Sequence, residues 1–496
     1  MRWTRLLNVT VLGLCVAGES WGVATLTRYP YPQSLGRDQV TIMWRTATPV
    51  VQRLECGMSG QPLSIQASDA VATTAHEITV TGLQAGTKYE YRISEGLDVV
   101  LSDSDKYWFK TDPGPASPNF SFFVTGDIGA ELPDGQQAKT GRMIQNVSPR
   151  AEFGLLTGDI IYPDGESSAY DAQLMSIWRD FMCFTPIWPS LGNHDWHVDP
   201  EQNYRKEWAL PNNEHWYSFD YGNMHFIALD SQDGALYDEA NQLAWLEADL
   251  RHAYGRAQWI TVFYHHPGLT CTYKGNDQDI YAPLYPLFDE YKVDFVFNGH
   301  AHTYERQYPV HGNVPVDQGQ NPNYLNPNGF ITIVTGCGGK LKTGEPTSFC
   351  GVTAAYADER LAFTQVFVFG KTVYILTFDS NTGQVVDWVQ VTKTVDVTDV
   401  AMTPIYPTLR QNVPNPFNPT TTIPFEVPTA QRVALRIYKI DGSRVADLAN
   451  QVFPAGSHRV VWNGLDASGA RVPSGAYICR METEDQSWSV KMTMVR

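Results

Sequence analysis

Five short strings between residues 126 and 302 each place metal-ligand side chains directly after a run of apolar, strand-like residues. Together they offer two aspartates, one tyrosine, one asparagine and three histidines, which are enough donors for two neighbouring metal ions. Two cations roughly 3.5–4 Å apart are a common means of cleaving phosphate esters. The strings are Gly126-Asp127-Ile128-Gly129, Gly158-Asp159-Ile160-Ile161-Tyr162, Gly192-Asn193-His194-Asp195, Val262-Phe263-Tyr264-His265 and Gly299-His300-Ala301-His302.

The donor types divide into a hard, anionic set that suits a trivalent cation and a neutral set that suits divalent zinc, manganese or iron. Asp159 lies in the second string and is the expected bridge between the two cations. Of the adjacent His265 and His266, the spacing from Val262 favours His265 as the ligand and His266 as a structural residue. The predicted sets are Asp127, Asp159, Tyr162 and His302 for the trivalent cation, and Asn193, His265 and His300 for the divalent one.

Two such cations would hold a hydroxide near neutral or acidic pH and polarise the phosphoryl oxygens. The expected reaction is attack of this metal-bound hydroxide on phosphorus, in line with the leaving oxygen. His194 follows a predicted ligand and is the candidate to bind the phosphate or to protonate the leaving group. The predicted catalytic residues are therefore His194 and Asp159.

The elements that must position these residues belong to the middle of the chain. Residues 119–394 alternate apolar strands with amphipathic segments such as Glu239 to Arg251, where leucines recur near helical spacing. This pattern predicts an α/β domain, and open α/β sheets bind ligands at the carboxyl ends of their strands. Residues 23–113 and 410–496 read as short strands separated by turns and predict two β-sandwich domains, with a linker at 395–409.

The bulk properties exclude several classes of protein. The net charge of -17, without a basic stripe, argues against nucleic-acid binding and against docking on anionic lipid. Arg2 and Arg5 precede an apolar stretch that is too short to span a bilayer, so residues 1–22 are interpreted as a signal peptide. Export permits disulfides. Cys337 with Cys350 is the favoured pair, and Cys183 with Cys271 is a weaker alternative.

The five strings resemble the purple acid phosphatases, a branch of the calcineurin-like metallophosphoesterases. The wider family opens with Asp-x-His, whereas Gly129 stands in the histidine's place here, and Tyr162 follows the second aspartate. The resemblance covers about residues 25–385 and implies two mixed sheets flanked by helices. It also implies Fe(III) held by Asp127, Tyr162 and His302, with Asp159 as the bridge and the remaining three predicted ligands on the divalent ion.

One departure from that family concerns the fourth loop. Plant-type members carry a further histidine after the metal ligand, but here the loop runs from Pro267 to Lys274 without one. His194, Tyr273 or Lys274 would then have to supply the proton, so the pattern leaves the proton donor open.

The flanking domains carry two further resemblances. Leu83 to Tyr91 looks like the tyrosine corner of fibronectin type III domains. Residues 410–496 resemble the C-terminal sorting domain of type IX secretion, with its immunoglobulin-like β-sandwich. These resemblances imply a secreted or cell-surface bacterial protein that meets a secretion machinery.

The sequence therefore predicts a secreted acid phosphatase acting on small phosphate monoesters. Two alternatives stay open: a phosphodiesterase with the same two metals, and a non-catalytic cell-surface binding protein. No nucleic-acid partner and no integral membrane segment after the signal peptide are expected.

Overall fold

The computed structural model describes residues 23–129, 136–199, 203–232, 239–342, 351–394, 408–409, 412–427, 430–440, 442–454, 456–483 and 487–495. The expected signal peptide at 1–22 and most of the expected linker lie outside these residues. Within the described ranges, no helix is both long and apolar enough to cross a membrane.

The N-terminal domain is all-β and consists of two antiparallel sheets, ordered β1-β2-β5 and β4-β3-β6-β7 with β8 beside β6. The short strands predicted for residues 23–113 are present; β2 contains Val40 to Trp44 and β6 contains Tyr89 to Ile93. The strands are β1 (Leu26–Gln33), β2 (Gln39–Val50), β3 (Arg53–Met58), β4 (Ile65–Ser68), β5 (Thr73–Thr81), β6 (Lys88–Glu95), β7 (Asp98–Ser102) and β8 (Trp108–Lys110).

The predicted tyrosine corner has the expected hydrogen bond. The Gln84 backbone N–H donates to the Tyr89 hydroxyl at 2.8 Å, and the Tyr89 ring is buried and stacked on Phe109. This contact fixes the turn before β6. Whether the domain is of the fibronectin type III family stays a prediction.

The central domain contains two seven-stranded mixed sheets, ordered β11-β10-β9-β22-β23-β24-β19 and β12-β13-β14-β15-β20-β16-β21. The strands are β9 (Asn119–Thr125), β10 (Phe153–Thr157), β11 (Ile187–Ser190), β12 (Tyr217–Tyr221), β13 (Met224–Ala228), β14 (Trp259–Phe263), β15 (Phe295–Asn298), β16 (Tyr304–Gln307), β17 (Val310–His311), β18 (Val314–Pro315), β19 (Asn323–Leu325), β20 (Ile331–Thr335), β21 (Thr353–Ala357), β22 (Ala362–Phe369), β23 (Thr372–Asp379) and β24 (Val385–Thr392). β17 and β18 pair only with each other.

Helices complete the central domain, and the predicted amphipathic helix is confirmed as α5, in which Leu246 and Leu250 are buried. The helices are α1 (Gln136–Asn146), α2 (Ser167–Tyr170), α3 (Arg179–Met182), α4 (Asn193–Trp196), α5 (Glu239–Ala253) and α6 (Gln278–Glu290). Shorter helical turns span Asp171–Met175, Tyr204–Lys206 and Gln318–Gln320.

An aromatic layer fills the space between the two large sheets. The ring of Phe122 in β9 meets Phe226 in β13 edge to face at 5.1 Å and Phe297 in β15 at 6.3 Å. Phe153 in β10 also contacts Phe226, at 5.3 Å. All four rings are buried. Their packing therefore sets the distance between the sheets.

A buried histidine joins α5 to the second sheet. His225 Nδ1 lies 2.7 Å from Asp220 Oδ1, and its Nε2 lies 2.9 Å from Asp249 Oδ2 on α5. Burial alone would lower the pKa of His225, but the Asp249 and Asp220 carboxylates outweigh it and raise that pKa to about 9. His225 is therefore protonated at neutral pH.

A charged network attaches the N-terminal domain to the central one. Arg28 of β1 donates to Asp171 at 2.7 Å and to Glu207, and Arg45 of β2 donates to Glu207 at 2.7 Å. Glu207 and Arg28 are buried, so removing either side chain would leave the other as an unpaired charge in the interior.

The C-terminal domain is all-β, as expected, and has sheets ordered β25-β26-β29 and β28-β27-β30-β31. Thr408–Leu409, expected in the linker, instead form β25, which pairs with β26. The strands are β25 (Thr408–Leu409), β26 (Thr421–Val427), β27 (Gln431–Lys439), β28 (Arg444–Phe453), β29 (Gly456–Trp462), β30 (Gly475–Glu482) and β31 (Ser487–Met494).

Candidate metal centre

The carboxyl ends of five strands, three from one sheet and two from the other, converge at one edge of the central domain. β9, β10 and β11 run parallel in the first sheet, and β14 and β15 run parallel in the second. The backbone N–H of Gly126 donates to Thr335 O at the end of β20, at 3.0 Å, and so joins the edges of the two sheets. Each of the five predicted strings follows one of these strand ends.

The first predicted ligand set is assembled around the Tyr162 hydroxyl. Tyr162 Oη lies 3.2 Å from Asp127 Oδ1, 2.9 Å from Asp159 Oδ2 and 3.4 Å from His302 Nε2. His302 Nε2 is itself 3.3 Å from Asp127 Oδ1. Four donors from three separate loops therefore face one point.

The second predicted set is assembled around His265. His265 Nε2 lies 3.2 Å from Asn193 Oδ1, 3.2 Å from His300 Nδ1 and 3.4 Å from Asp159 Oδ1. The other ring nitrogen, Nδ1, lies 2.8 Å from the carbonyl oxygen of Thr157. Because a carbonyl can only accept, Nδ1 carries the hydrogen and Nε2 faces the centre.

Asp159 touches both sets through different oxygens. Its Oδ2 faces Tyr162, and its Oδ1 faces His265. The ligand atoms of Asp127, Asp159 and His265 all lie within 4.8 Å of one another. The donor atoms are therefore of the types that a hard cation and a neighbouring borderline cation prefer, and they lie close enough together to bind both.

The backbone at three predicted ligands is unusual. Asp127, Asp159 and His300 have φ values of 51°, 50° and 66°, in the left-handed region that such side chains seldom adopt. Conformations of this kind cost roughly 1–3 kcal/mol each and collect at functional sites. Asp127 is held by Gly158 O, which accepts from its backbone N–H at 3.0 Å.

Close backbone packing explains two of the glycines. A Cβ on Gly192 would lie 2.1 Å from the Asp159 backbone nitrogen. Gly158 has a φ of 83°, and a Cβ there would lie 2.6 Å from His265 Nδ1. Any side chain at these positions would displace Asp159 or His265.

Burial and neighbouring charges shift the pKa values of the predicted ligands in different directions. Burial alone would raise the pKa of Asp159, but His265 and His194 outweigh burial and hold it below its ordinary range. Burial would lower the pKa of His265, yet Asp159 raises it to about 9. Burial and the two carboxylates raise the pKa of Tyr162 above its usual value. Binding of cations would therefore displace protons from His265 and Tyr162.

His194 stands at the side of this centre. Its backbone N–H donates to Asp159 Oδ1 at 2.9 Å, and its ring centroid is 4.2 Å from that of Tyr162. Its Nδ1 lies 2.5 Å from Pro163 O, so Nδ1 carries a hydrogen and Nε2 stays available. The side chain is 28% exposed. It can reach solvent and a bound substrate.

Two residues in or next to the strings have contacts that the sequence did not assign. Asp195 is buried, and its carboxylate accepts from the backbone N–H groups of Gly192, Ile160 and Ile161, which fastens two ligand loops together. His266, expected to be structural, lies 3.1 Å from the Ser231 hydroxyl. Its ring nitrogens also come within 4.8 Å of those of His265 and His300, so geometry allows it as a third nitrogen donor.

Three lysines and a tyrosine lie beside the centre. The His302 backbone N–H donates to Tyr273 Oη at 3.3 Å. Lys274 and Lys342 hold their ammonium groups 5.5 and 5.2 Å from the Tyr273 ring centroid, and Lys340 Nζ is 4.0 Å from that of Tyr162. Lys340 and Lys342 were not predicted. Their order after glycines, Gly338-Gly339-Lys340, was the only signal in the sequence.

Both expected disulfide pairs are wrong. Cys337 is a free, buried thiol at the end of β20, and its Sγ lies 4.0 Å from Ala362 O, which points it into the core. Cys183 is also free and contacts Asp180 O in its own helical turn. Cys271 is disulfide-bonded, and its partner lies outside the described residues.

Comparison with known families agrees with this geometry. Residues 120–304 match the model of the calcineurin-like phosphoesterases, a span that contains every predicted ligand. The central domain is therefore similar to calcineurin-like phosphoesterases. This similarity supports the expected enzyme class, a hydrolase of phosphate esters. Residues 417–487 match the FlgD immunoglobulin-like domain, which supports the expected β-fold of the C-terminal part.

Individual relatives are distant. The chain is 28% identical over 252 residues to purple acid phosphatase 21 of Arabidopsis thaliana, covering 48% of this chain and 54% of that protein. Human acid phosphatase type 7 is 25% identical over 401 residues, or 72% of this chain and 89% of that protein. The chain spans about half the length of the first of these relatives.

A solved structure shares the fold. The purple acid phosphatase from yellow lupin (Lupinus luteus) seeds superposes with a TM-score of 0.63 at 20% identity, covering 74% of each chain. The predicted central fold of two mixed sheets is thereby supported.

Proposed function

We propose that the chain is a dinuclear-metal acid phosphatase that hydrolyses phosphate monoesters outside the cell. The observation that carries the proposal is the carboxylate of Asp159, whose two oxygens face two different donor sets. The left-handed backbone of Asp127 and His300 is consistent with a functional site. The similarity to purple acid phosphatases points in the same direction.

In this proposal each donor set holds one cation. Asp127, Tyr162 and His302 hold Fe(III), and Asp159 is shared with a divalent zinc, manganese or iron ion. Asn193, His265 and His300 complete the divalent site. When bound, the two ions activate water and offset the negative charge of the phosphoryl group. The protein supplies orientation, because the Thr157 carbonyl fixes the ring of His265.

His194 is the proposed proton donor. Its Nδ1 hydrogen is engaged by Pro163 O, so the protonated ring presents Nε2–H toward the cleft. Nε2 is 3.9 Å from Asp159 Oδ2 and therefore lies next to the position of the phosphoryl group. Donation of this proton to the leaving oxygen gives the alcohol product and a neutral imidazole. The proposed mildly acidic optimum rests on the similarity to acid phosphatases.

Export is proposed from the sequence at both ends. The basic and apolar pattern of residues 1–22 supports a signal peptide, and residues 410–496 support a sorting module that engages a secretion machinery. Mass spectrometry of the protein recovered from the medium and from the cell surface tests both. An exported chain that begins after residue 22 supports the proposal, and a chain found only inside the cell contradicts it.

Purified full-length protein tests the enzymatic proposal. We expect about two metal ions per chain, one of them iron, and a visible band from charge transfer between tyrosinate and Fe(III). We also expect faster turnover of p-nitrophenyl phosphate than of bis(p-nitrophenyl) phosphate, with more activity at about pH 5 than at about pH 8. A preference for the diester would replace the proposal by the phosphodiesterase alternative. Full metal content without turnover of either ester would favour a non-catalytic binding protein.

A further inference from the structure

A positively charged rim borders the metal centre of this acidic chain. Lys274 follows Tyr273 on the loop after β14, and Lys340 and Lys342 lie on the segment after β20. Lys274 and Lys342 are exposed, and both ammonium groups lie within 5.5 Å of the Tyr273 ring centroid. Two loops that are distant in sequence therefore bring like charges to one ring.

Backbone contacts fix the rim relative to the predicted ligands. The N–H groups of Gly339 and Lys340 donate to Asp127 O at 3.0 and 3.1 Å, and the N–H of Lys342 donates to His302 O at 3.2 Å. The Tyr273 hydroxyl accepts from the His302 backbone N–H. The backbone segment that carries Lys340 and Lys342 is consequently attached to two predicted ligands, and Tyr273, which precedes Lys274, is attached to one of them.

Like charges that meet at one ring repel each other unless an anion lies near them. Partial burial lowers the pKa of Lys274, Asp127 and Asp159 act in the opposite direction, and the positive charge of Lys342 lowers that pKa further. Once cations offset Asp127 and Asp159, the attraction that these carboxylates exert on the lysines falls. An anionic group of the substrate can then take over that role.

We propose that Lys274 and Lys342 form a subsite for a second phosphate group, and that the preferred substrates are small phosphomonoesters carrying two phosphates. This inference rests on the proposed function, because it places the scissile phosphoryl group between the two donor sets. The second phosphate then lies over Tyr273, where Lys274 and Lys342 contact its oxygens. When a substrate with one phosphate is bound, Lys274 and Lys342 remain hydrated and make no contact with it.

The reaction itself is unchanged by the subsite. The oxygen of water forms a bond to the scissile phosphorus, and the ester P–O bond breaks with its electron pair on the leaving oxygen. That oxygen takes a proton and becomes the hydroxyl of a product that keeps the second phosphate. The lysines act by binding and positioning only.

A matched pair of substrates and of variants tests the subsite. We would compare kcat/KM for fructose 1,6-bisphosphate with that for fructose 6-phosphate in the metal-loaded full chain. Two cleavable phosphates alone give a ratio of about two. An exposed ion pair contributes up to roughly fivefold, and two lysines offer two such pairs, so the wild-type ratio should lie between about ten and about fifty. In the Lys274→Gln/Lys342→Gln double variant the ratio should fall to about two.

Lys292→Gln is the charge-matched control, because Lys292 is exposed in the same domain directly before β15, at the opposite end of that strand from the ligands. It should leave the ratio at the wild-type value. The wild-type ratio should also fall as salt rises, since exposed charges are screened. Lys340 is left unchanged because its ammonium group lies over Tyr162.

The outcomes separate the inference from the proposed function. Turnover of p-nitrophenyl phosphate together with a ratio near two in the wild type, or with a high ratio that survives the double substitution, overturns the subsite alone. If the metal-loaded wild type hydrolyses no phosphate monoester, both the proposed function and the subsite are overturned. A high ratio that falls only in the double variant supports both.

Discussion

Replacing Asp159 by asparagine is the most direct test of the metal centre. Asparagine keeps the shape of the side chain, and its oxygen can still accept the backbone N–H of His194, which lies 2.9 Å from Oδ1. The substitution removes only the negative charge that lies 2.9 Å from Tyr162 Oη and 3.4 Å from His265 Nε2. The fold should therefore survive, while both donor sets lose their shared anion.

The size of the effect follows from these distances. A positive charge 3.4 Å from a carboxylate gains about 5 kcal/mol at an effective dielectric constant of about 20. That energy corresponds to more than a thousandfold in affinity. We therefore expect the Asp159→Asn variant to retain less than one metal ion per chain after buffer exchange. Turnover of p-nitrophenyl phosphate should fall at least about a thousandfold.

The assay combines elemental analysis, turnover and circular dichroism. Asp180→Asn is the matched control, because the Asp180 side chain is 69% exposed and forms an ion pair with Arg179, away from the predicted ligands. The control should keep wild-type metal content and rate. A folded Asp159→Asn protein with two metals and wild-type turnover would refute the reasoning.

Three further predictions each concern the substitution of a single residue. Tyr162→Phe should abolish the visible charge-transfer band and reduce the iron content of the purified protein; an unchanged absorption spectrum would show that the tyrosine hydroxyl is not a ligand. His225 has a pKa raised from 6.5 to about 9, so its contribution to the free energy of unfolding, at most about 3 kcal/mol, is fully present below pH 6.5 and is lost as pH rises through 9. Urea unfolding at about pH 6 and about pH 9.5 should show this loss in the wild type, and a His225→Asn variant with the same loss would contradict it. Tyr89→Phe should lower the free energy of unfolding by about 1 kcal/mol, because the Gln84 backbone N–H loses its acceptor; a denaturation midpoint equal to the wild type would count against that role.

The sequence located the candidate ligands because they obey a local rule. Asp127, Asp159 and His265 each follow an apolar run that ends in a strand, and parallel strands bring their carboxyl ends to one edge. Strand periodicity and glycines are visible within ten residues of each ligand. These local patterns, together with the parallel strand order that they imply, were enough to predict that the five strings lie close together.

The rim and the disulfides depended on contacts that no local pattern encodes. Lys340 and Lys342 reach the centre only because the segment after β20 hydrogen-bonds to the backbones of Asp127 and His302. Cys337 was paired by its distance along the chain, but its side chain points toward Ala362 in the core. The direction of a side chain at a strand end depends on the neighbouring strand, here β22, and spacing does not reveal it.

The role of Asp195 was also hidden. An aspartate at the third position of a short helix usually satisfies only the first turn of that helix. Here its carboxylate also accepts from Ile160 and Ile161, on a loop 34 residues away in the chain. The distance between these two loops depends on the tertiary structure. The sequence could therefore indicate that Asp195 caps its own helix, but not that it also binds the second loop.

The aromatic layer between the sheets also bears on the proposed metal centre. Asp127, Asp159 and Asn193 come from the first sheet, whereas the three predicted histidine ligands come from the second. The stack of Phe122, Phe226 and Phe297 thus sets the gap between the two groups of predicted ligands. Replacing Phe226 by alanine would remove a ring that spans this gap, and a shifted tyrosinate band in the proposed iron-loaded protein would report the displacement of one sheet against the other.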